Sequence, residues 1–171
     1  PGVDLVGVDW GVGAPAAADA GVRLLPRRPH AEFLADLARA HVVVGQPTGM
    51  LAASELEALG MGIPVVAPLH LPWYEESGAA IPPVLGGVDL AHGRPLPPQD
   101  AQTSSARSLT GTEECALGND IADVVLMALS DPEATSTSLA SPTWVAAQHG
   151  VDSGIERLLP LYARVMDRRG S

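Results

Sequence analysis

The chain has 171 residues, 46% of them hydrophobic and 18% charged, with ten basic residues against twenty acidic ones and a formal net charge of −10. This balance excludes a broad basic nucleic-acid footprint. A lone cysteine, Cys115, excludes a disulfide scaffold, and the longest apolar runs, such as Ile63 to Leu69, are far too short to span a bilayer. The length suits one soluble domain, able to bury about 70% of the surface its unfolded chain exposes, with the cytoplasm as the expected compartment.

The predicted elements alternate. Val3 to Val8 is a short β-branched run ending in the glycine-rich stretch Gly11-Val12-Gly13, a strand and a loop. Gly21 to Leu25 is a second strand, stopped by Pro26, and the helical spacing of Phe33, Leu34, Leu37 and Ala38 predicts a helix over Pro29 to Ala40. His41 to Gly45 is a buried-type strand, Met50 to Gly60 a helix, and Ile63 to Pro68 another buried strand. Short apolar strands alternating with helices indicate βαβ units and a parallel sheet, an α/β fold. Trp73 to Glu76 forms a short helix and Ala80 to Leu85 an edge strand, the place where two prolines are tolerated. Residues 86–118, rich in Gly, Pro, Ser and Thr, read as a long loop insertion. Helices resume over Asn119 to Leu129, capped by Asn119 or Asp120, and again from Pro132. The last helix, about Val151 to Arg168, carries Val151, Ile155, Leu158, Leu159, Tyr162, Val165 and Met166 as one apolar stripe, kinked at Pro160.

The segment from Val42 to Pro68 concentrates the chemistry. A strand leads into a Thr48-Gly49 turn that opens a helix, and the helix ends at a Gly-x-Gly-x-Pro turn into the next strand. In parallel sheets, ligands bind beyond the carboxyl ends of the strands, where Thr48 and Gly49 fall. A helix N-terminus there offers unpaired N–H groups and a favourable dipole to a phosphate, and Gly49 lets an anion approach. Glu57, two turns on, is an acid in an apolar segment, suited to accept hydrogen bonds from the vicinal hydroxyls of a ribose. The plainer reading makes the Thr-Gly turn a cap and leaves Glu55 and Glu57 as solvated surface residues.

Elsewhere the signals are weaker. His30, His41, His70, His92 and His149 lack the spacing of a metal site. Cys115 has no His near it in sequence. Gly7, Gly11 and Gly13 do not have the spacing of a dinucleotide fingerprint. Trp73 and Tyr74 either flank a cleft and touch a sugar or simply cover a domain edge.

Ser54-Glu55-Leu56-Glu57-Ala58-Leu59-Gly60-Met61-Gly62-Ile63-Pro64-Val65-Val66 resembles the signature of group 1 (family 4) glycosyltransferases, a Leu-Glu-Ala-Met-Ala-x-Gly-x-Pro-Val-Val run after a glycine-containing turn. The likeness extends upstream over Val22 to Val44, and downstream to Ser130-Asp131-Pro132-Glu133 and Trp144 to Met166, leaving residues 70–118 uncovered. It implies a GT-B fold, whose C-terminal Rossmann-like domain, a parallel sheet flanked by helices, holds a nucleotide-sugar donor. Glu57 would bind the ribose, and Thr48 with the backbone of Gly49, Met50 and Leu51 would hold the diphosphate. The reaction implied is transfer of a hexose-type sugar to an acceptor hydroxyl of a glycan, lipid or small molecule, with retention of configuration. It needs no metal and no cofactor beyond the donor substrate.

Two departures from the family pattern stand out. The first of the motif's two glutamates, separated from the second by seven residues, falls at Gly49, so no catalytic carboxylate is assigned. The basic pair that meets the diphosphate has no counterpart here, unless Arg27 and Arg28 approach the nucleotide. The expectation is therefore an N-terminally truncated donor domain spanning 1–171, partnered by an N-terminal acceptor domain of the same enzyme and inactive alone. No nucleic-acid partner is expected, and peripheral membrane association of the full-length enzyme stays open. A sugar-nucleotide epimerase of the same fold and a degenerate, non-catalytic interaction module are the alternatives.

Overall fold

A computed structural model describes residues 2–46, 49–69, 71–85, 111–156 and 158–160. The chain is mixed α/β, with small parallel sheets, and divides into two compact units, Pro1–Arg39 and Ala40–Ser171.

The first unit runs β1 (Val6–Val8), α1 (Ala14–Asp19), β2 (Arg23–Leu25) and α2 (His30–Leu37). β1 and β2 pair in parallel with Val6 opposite Arg23 and Val8 opposite Leu25. The ladder extends by one bond at each end, Arg23 N–H to the Leu5 carbonyl at 2.9 Å and Asp9 N–H to the Leu25 carbonyl at 2.7 Å. Parallel pairing needs a crossover, and α1 supplies it. The sequence pattern missed this helix because Ala-Pro-Ala-Ala-Ala-Asp has no apolar periodicity. Its signals are the proline in the first turn and the high helix propensity of alanine. Gly21, at φ +94°, turns the chain into β2. Ala14 is the sole buried residue among those described in this unit, whereas Val3, Leu5, Val6 and Trp10 are exposed.

The second unit holds the apolar core. β3 (Val43–Val44), α3 (Ala53–Gly60) and β4 (Val65–Val66) form a βαβ unit, with Val43 opposite Val65 and Val44 opposite Val66 in parallel. β4 is central. On its other side Leu85 forms a parallel bridge with Val66, donating its N–H to the Val65 carbonyl at 2.8 Å. The expected edge strand over residues 80–85 is reduced to that one residue, since Pro82 and Pro83 have no N–H to give a ladder. α4 (Leu71–Ser77) follows, then α5 (Gly111–Ser130), α6 (Pro132–Leu139) and α7 (Ser141–His149). α5 begins at Gly111, inside the stretch expected to be a loop, so neither Asn119 nor Asp120 caps it and Cys115 lies on a helix. The remainder of that expected loop, 86–110, lies outside the described residues.

α3 packs against α7 and β4, and α5 against β4 and α6. Ala58, Leu59, Val65, Val66 and Ala128 are fully buried there, with Ala67 and Leu69 nearly so. Each such Leu or Val contributes roughly 1.5–3 kcal/mol of transfer free energy. Helical backbone continues over 151–156 and 158–160, but Val151, Ile155, Leu158 and Leu159 of the expected apolar stripe are exposed. Tyr162, Val165 and Met166 lie outside the described residues.

Candidate functional site

The loop between β3 and α3 lies at the carboxyl end of β3, where the sequence placed a ligand. α3 begins at Ala53, three residues later than Met50. Ala52, its N-cap, is extended (φ −89°, ψ 178°), so Gly49, Met50 and Leu51 lie ahead of the helix rather than in its first turn. Gly49 has φ +83° and forms an isolated parallel bridge with Leu69, continuing the β3–β4 pairing beyond the strands. Only glycine takes that conformation without strain. Met50 is half-exposed, and the Leu51 N–H donates to the Tyr74 hydroxyl. Thr48 lies outside the described residues. Glu57 is half-buried on the second turn of α3.

The unexpected member is Glu55, which is 4% exposed. Its Oε1 accepts the N–H of Gln46 at 3.0 Å; its Oε2 accepts the N–H of Ala52 at 2.9 Å and the hydroxyl of Ser54 at 3.2 Å. Reading the helix from Met50 put Glu55 in mid-helix, where an acid is normally solvated. With Ala53 as the first helical residue, Glu55 occupies the third, from which a Glu carboxylate reaches back to the N-cap N–H. Ser or Thr at the N-cap would have signalled this arrangement, but Ala52 has no side-chain oxygen to complete the reciprocal bond. The carboxylate thus meets the positive end of the α3 dipole from within the protein. A phosphate brought to the same end has to share it with an existing negative charge.

Tyr74 is pushed above its ordinary pKa by burial, which the Leu51 N–H partly opposes. α4 is therefore one neighbour of the loop, consistent with the expected short helix at Trp73 and Tyr74. The far end of α3 closes at Gly62 (φ +78°), whose carbonyl accepts the hydroxyl of Ser136 on α6.

Arg27 and Arg28 belong to the first unit and have partners within it. The Arg27 guanidinium lies 3.5 Å from the Trp10 ring centroid, and Arg28 pairs with Asp36 at 3.2 Å. His30 stacks on Phe33 and His149 lies against Trp144. Among the described residues no group of three or more His, Cys, Asp or Glu side chains could hold a metal ion, and no helix is long and apolar enough to cross a membrane.

Comparison with protein-family models, with curated proteins and with solved structures finds no match.

Proposed function

We propose that the chain is the donor-binding portion of a retaining glycosyltransferase that uses a nucleotide-activated hexose. The reading is carried by one arrangement: a parallel β3–α3–β4 unit in which Gly49, at φ +83°, follows β3 and Glu57 lies further along α3. A glycine loop after a parallel strand suits a diphosphate, and an acid beyond it suits a ribose, the two contacts a Rossmann-like donor site requires. The Gly-x-Gly-x-Pro turn into β4 and the likeness of residues 54–66 to the family signature support the same reading.

The test is Glu57→Ala in the full-length protein. A ribose diol on a carboxylate is a charge-assisted contact, so its loss weakens nucleotide-sugar binding by roughly 1.5–3 kcal/mol. Unchanged affinity and transfer would remove Glu57 from the site. Epimerised donor formed without any acceptor would instead indicate the epimerase.

A second reading, the non-catalytic module, is favoured by the Glu55 carboxylate at the start of α3 and by Gly49 where the family pattern has an acid. Calorimetry with uridine, guanosine and adenosine diphosphates separates the two, since the module takes up none of them.

A further inference from the structure

The loop after β3 is held by a carboxylate that the donor-binding reading does not use. Glu55 bridges the two ends of that loop, with Gln46 on Oε1 and Ala52 on Oε2. Glu55 is buried, and its carboxylate fits because Gly45 leaves room for it. A Cβ at Gly45 would stand 3.0 Å from Oε1 of Glu55, 3.1 Å from its Cγ and 2.9 Å from the Cβ of Ala67. Ser54 adds a third donor to the same carboxylate. Gly49 and Met50, whose backbone would meet a diphosphate, lie between the two bridged positions, as does Leu51, whose N–H is turned to the Tyr74 hydroxyl.

We propose that Glu55 is the positioning residue of this loop: by joining the Gln46 and Ala52 N–H groups through one buried carboxylate, it fixes the backbone at Gly49 to Leu51 in the conformation that receives the donor diphosphate. The inference rests on the donor-binding reading above. Glu55 does not touch the ligand. Its negative charge opposes a phosphate at the start of α3, while its two backbone bonds hold the loop that receives one. Removing it therefore has two opposite effects on affinity, and the proposal is that the loss of loop order outweighs the relief of repulsion.

The experiment is Glu55→Gln in the full-length protein, read by amide hydrogen exchange and by calorimetry with uridine, guanosine and adenosine diphosphates. A glutamine amide nitrogen donates where the carboxylate oxygen accepted, so one of the Gln46 and Ala52 amides should lose at least tenfold in protection. Affinity for the tightest-bound nucleoside diphosphate should fall at least tenfold. Val125→Ala, in the core on α5, serves as the stability control, lowering the melting temperature without moving the affinity. If Glu55→Gln does not fold, Gly45→Ala crowds the carboxylate and strains its two backbone bonds while keeping its charge, with the same expected loss. Affinity that is unchanged or tighter in the Glu55 or Gly45 variant, with wild type binding, overturns this inference and leaves the donor-binding reading standing. A wild-type protein that binds none of the three nucleotides overturns both.

Discussion

The carboxylate of Glu55 fills the space that a side chain at Gly45 would need. An added methyl group at Gly45 meets Oε1 at 3.0 Å and the Ala67 Cβ at 2.9 Å, and neither neighbour is a free end that can swing away. Ala67 is fixed in the buried segment after β4, and Glu55 is held by three donors. Gly45→Ala should therefore destabilise the fold by about 1–3 kcal/mol through overpacking, measured by urea denaturation. In an Ala67→Gly background the cost should shrink without vanishing, because the clash with Glu55 persists. A Gly45→Ala variant as stable as wild type would contradict the packing described.

How the sequence encodes this site shows where pattern reading succeeds and where it stops. β3 and β4 were legible because Val43, Val44, Val65 and Val66 form apolar, β-branched runs next to glycine and proline, and their parallel pairing followed from the helix between them. α1 was not legible, because alanine gives a helix propensity without giving it a face. The start of α3 was misplaced by three residues because Met50 and Leu51 continue its apolar character, while the capping relation depends on where Ala52 turns. That one error concealed Glu55, since its role follows from its being the third helical residue and not from its neighbours in sequence. Arg27 and Arg28 illustrate a different limit: their partners, Trp10 and Asp36, are fixed by tertiary placement that no local pattern carries.

Asp131 begins α6 in the manner the sequence suggests, immediately before a proline. Its Oδ1 accepts the Ala134 N–H at 3.0 Å, satisfying one of the donors left open at a helix start. Asp131→Ala should cost about 1 kcal/mol, within the range of N-cap removals, whereas Asp131→Asn should cost less. Chemical denaturation of the two variants beside wild type checks the order, and equal losses would show that the side-chain bond contributes nothing.

Gly62 and Ser136 join the end of α3 to α6. Gly62 has φ +78°, and a Cβ there would stand 3.4 Å from the Ser136 hydroxyl that its own carbonyl accepts. Gly62→Ala meets left-handed backbone strain of roughly 1–2 kcal/mol, the contact with Ser136 being an ordinary van der Waals one. Ser136→Ala removes only a hydrogen bond, worth about 0.5–1.5 kcal/mol. The strain belongs to the backbone and the bond to the side chain, so the two losses should add in the double variant. A total well below the sum in thermal denaturation would show that Gly62→Ala already breaks the Ser136 bond.

Tyr74 supplies a pH dependence whose sign can be stated. Burial raises its hydroxyl above the ordinary value of 10.0, and the Leu51 N–H reduces that rise without cancelling it. The folded protein therefore keeps the proton after the unfolded chain has begun to lose it, and stability falls as pH rises wherever the unfolded state binds fewer protons. The contribution is complete below pH of about 10 and is lost as pH climbs through the folded-state pKa. Absorbance titration of tyrosinate should show one transition displaced upward, and Tyr74→Phe should delete it. The same variant should flatten the alkaline limb of the stability curve and speed exchange of the Leu51 amide, which loses its acceptor. If the displaced transition survives in Tyr74→Phe, the raised hydroxyl is not that of Tyr74 and the contact between α4 and the loop after β3 carries no titration.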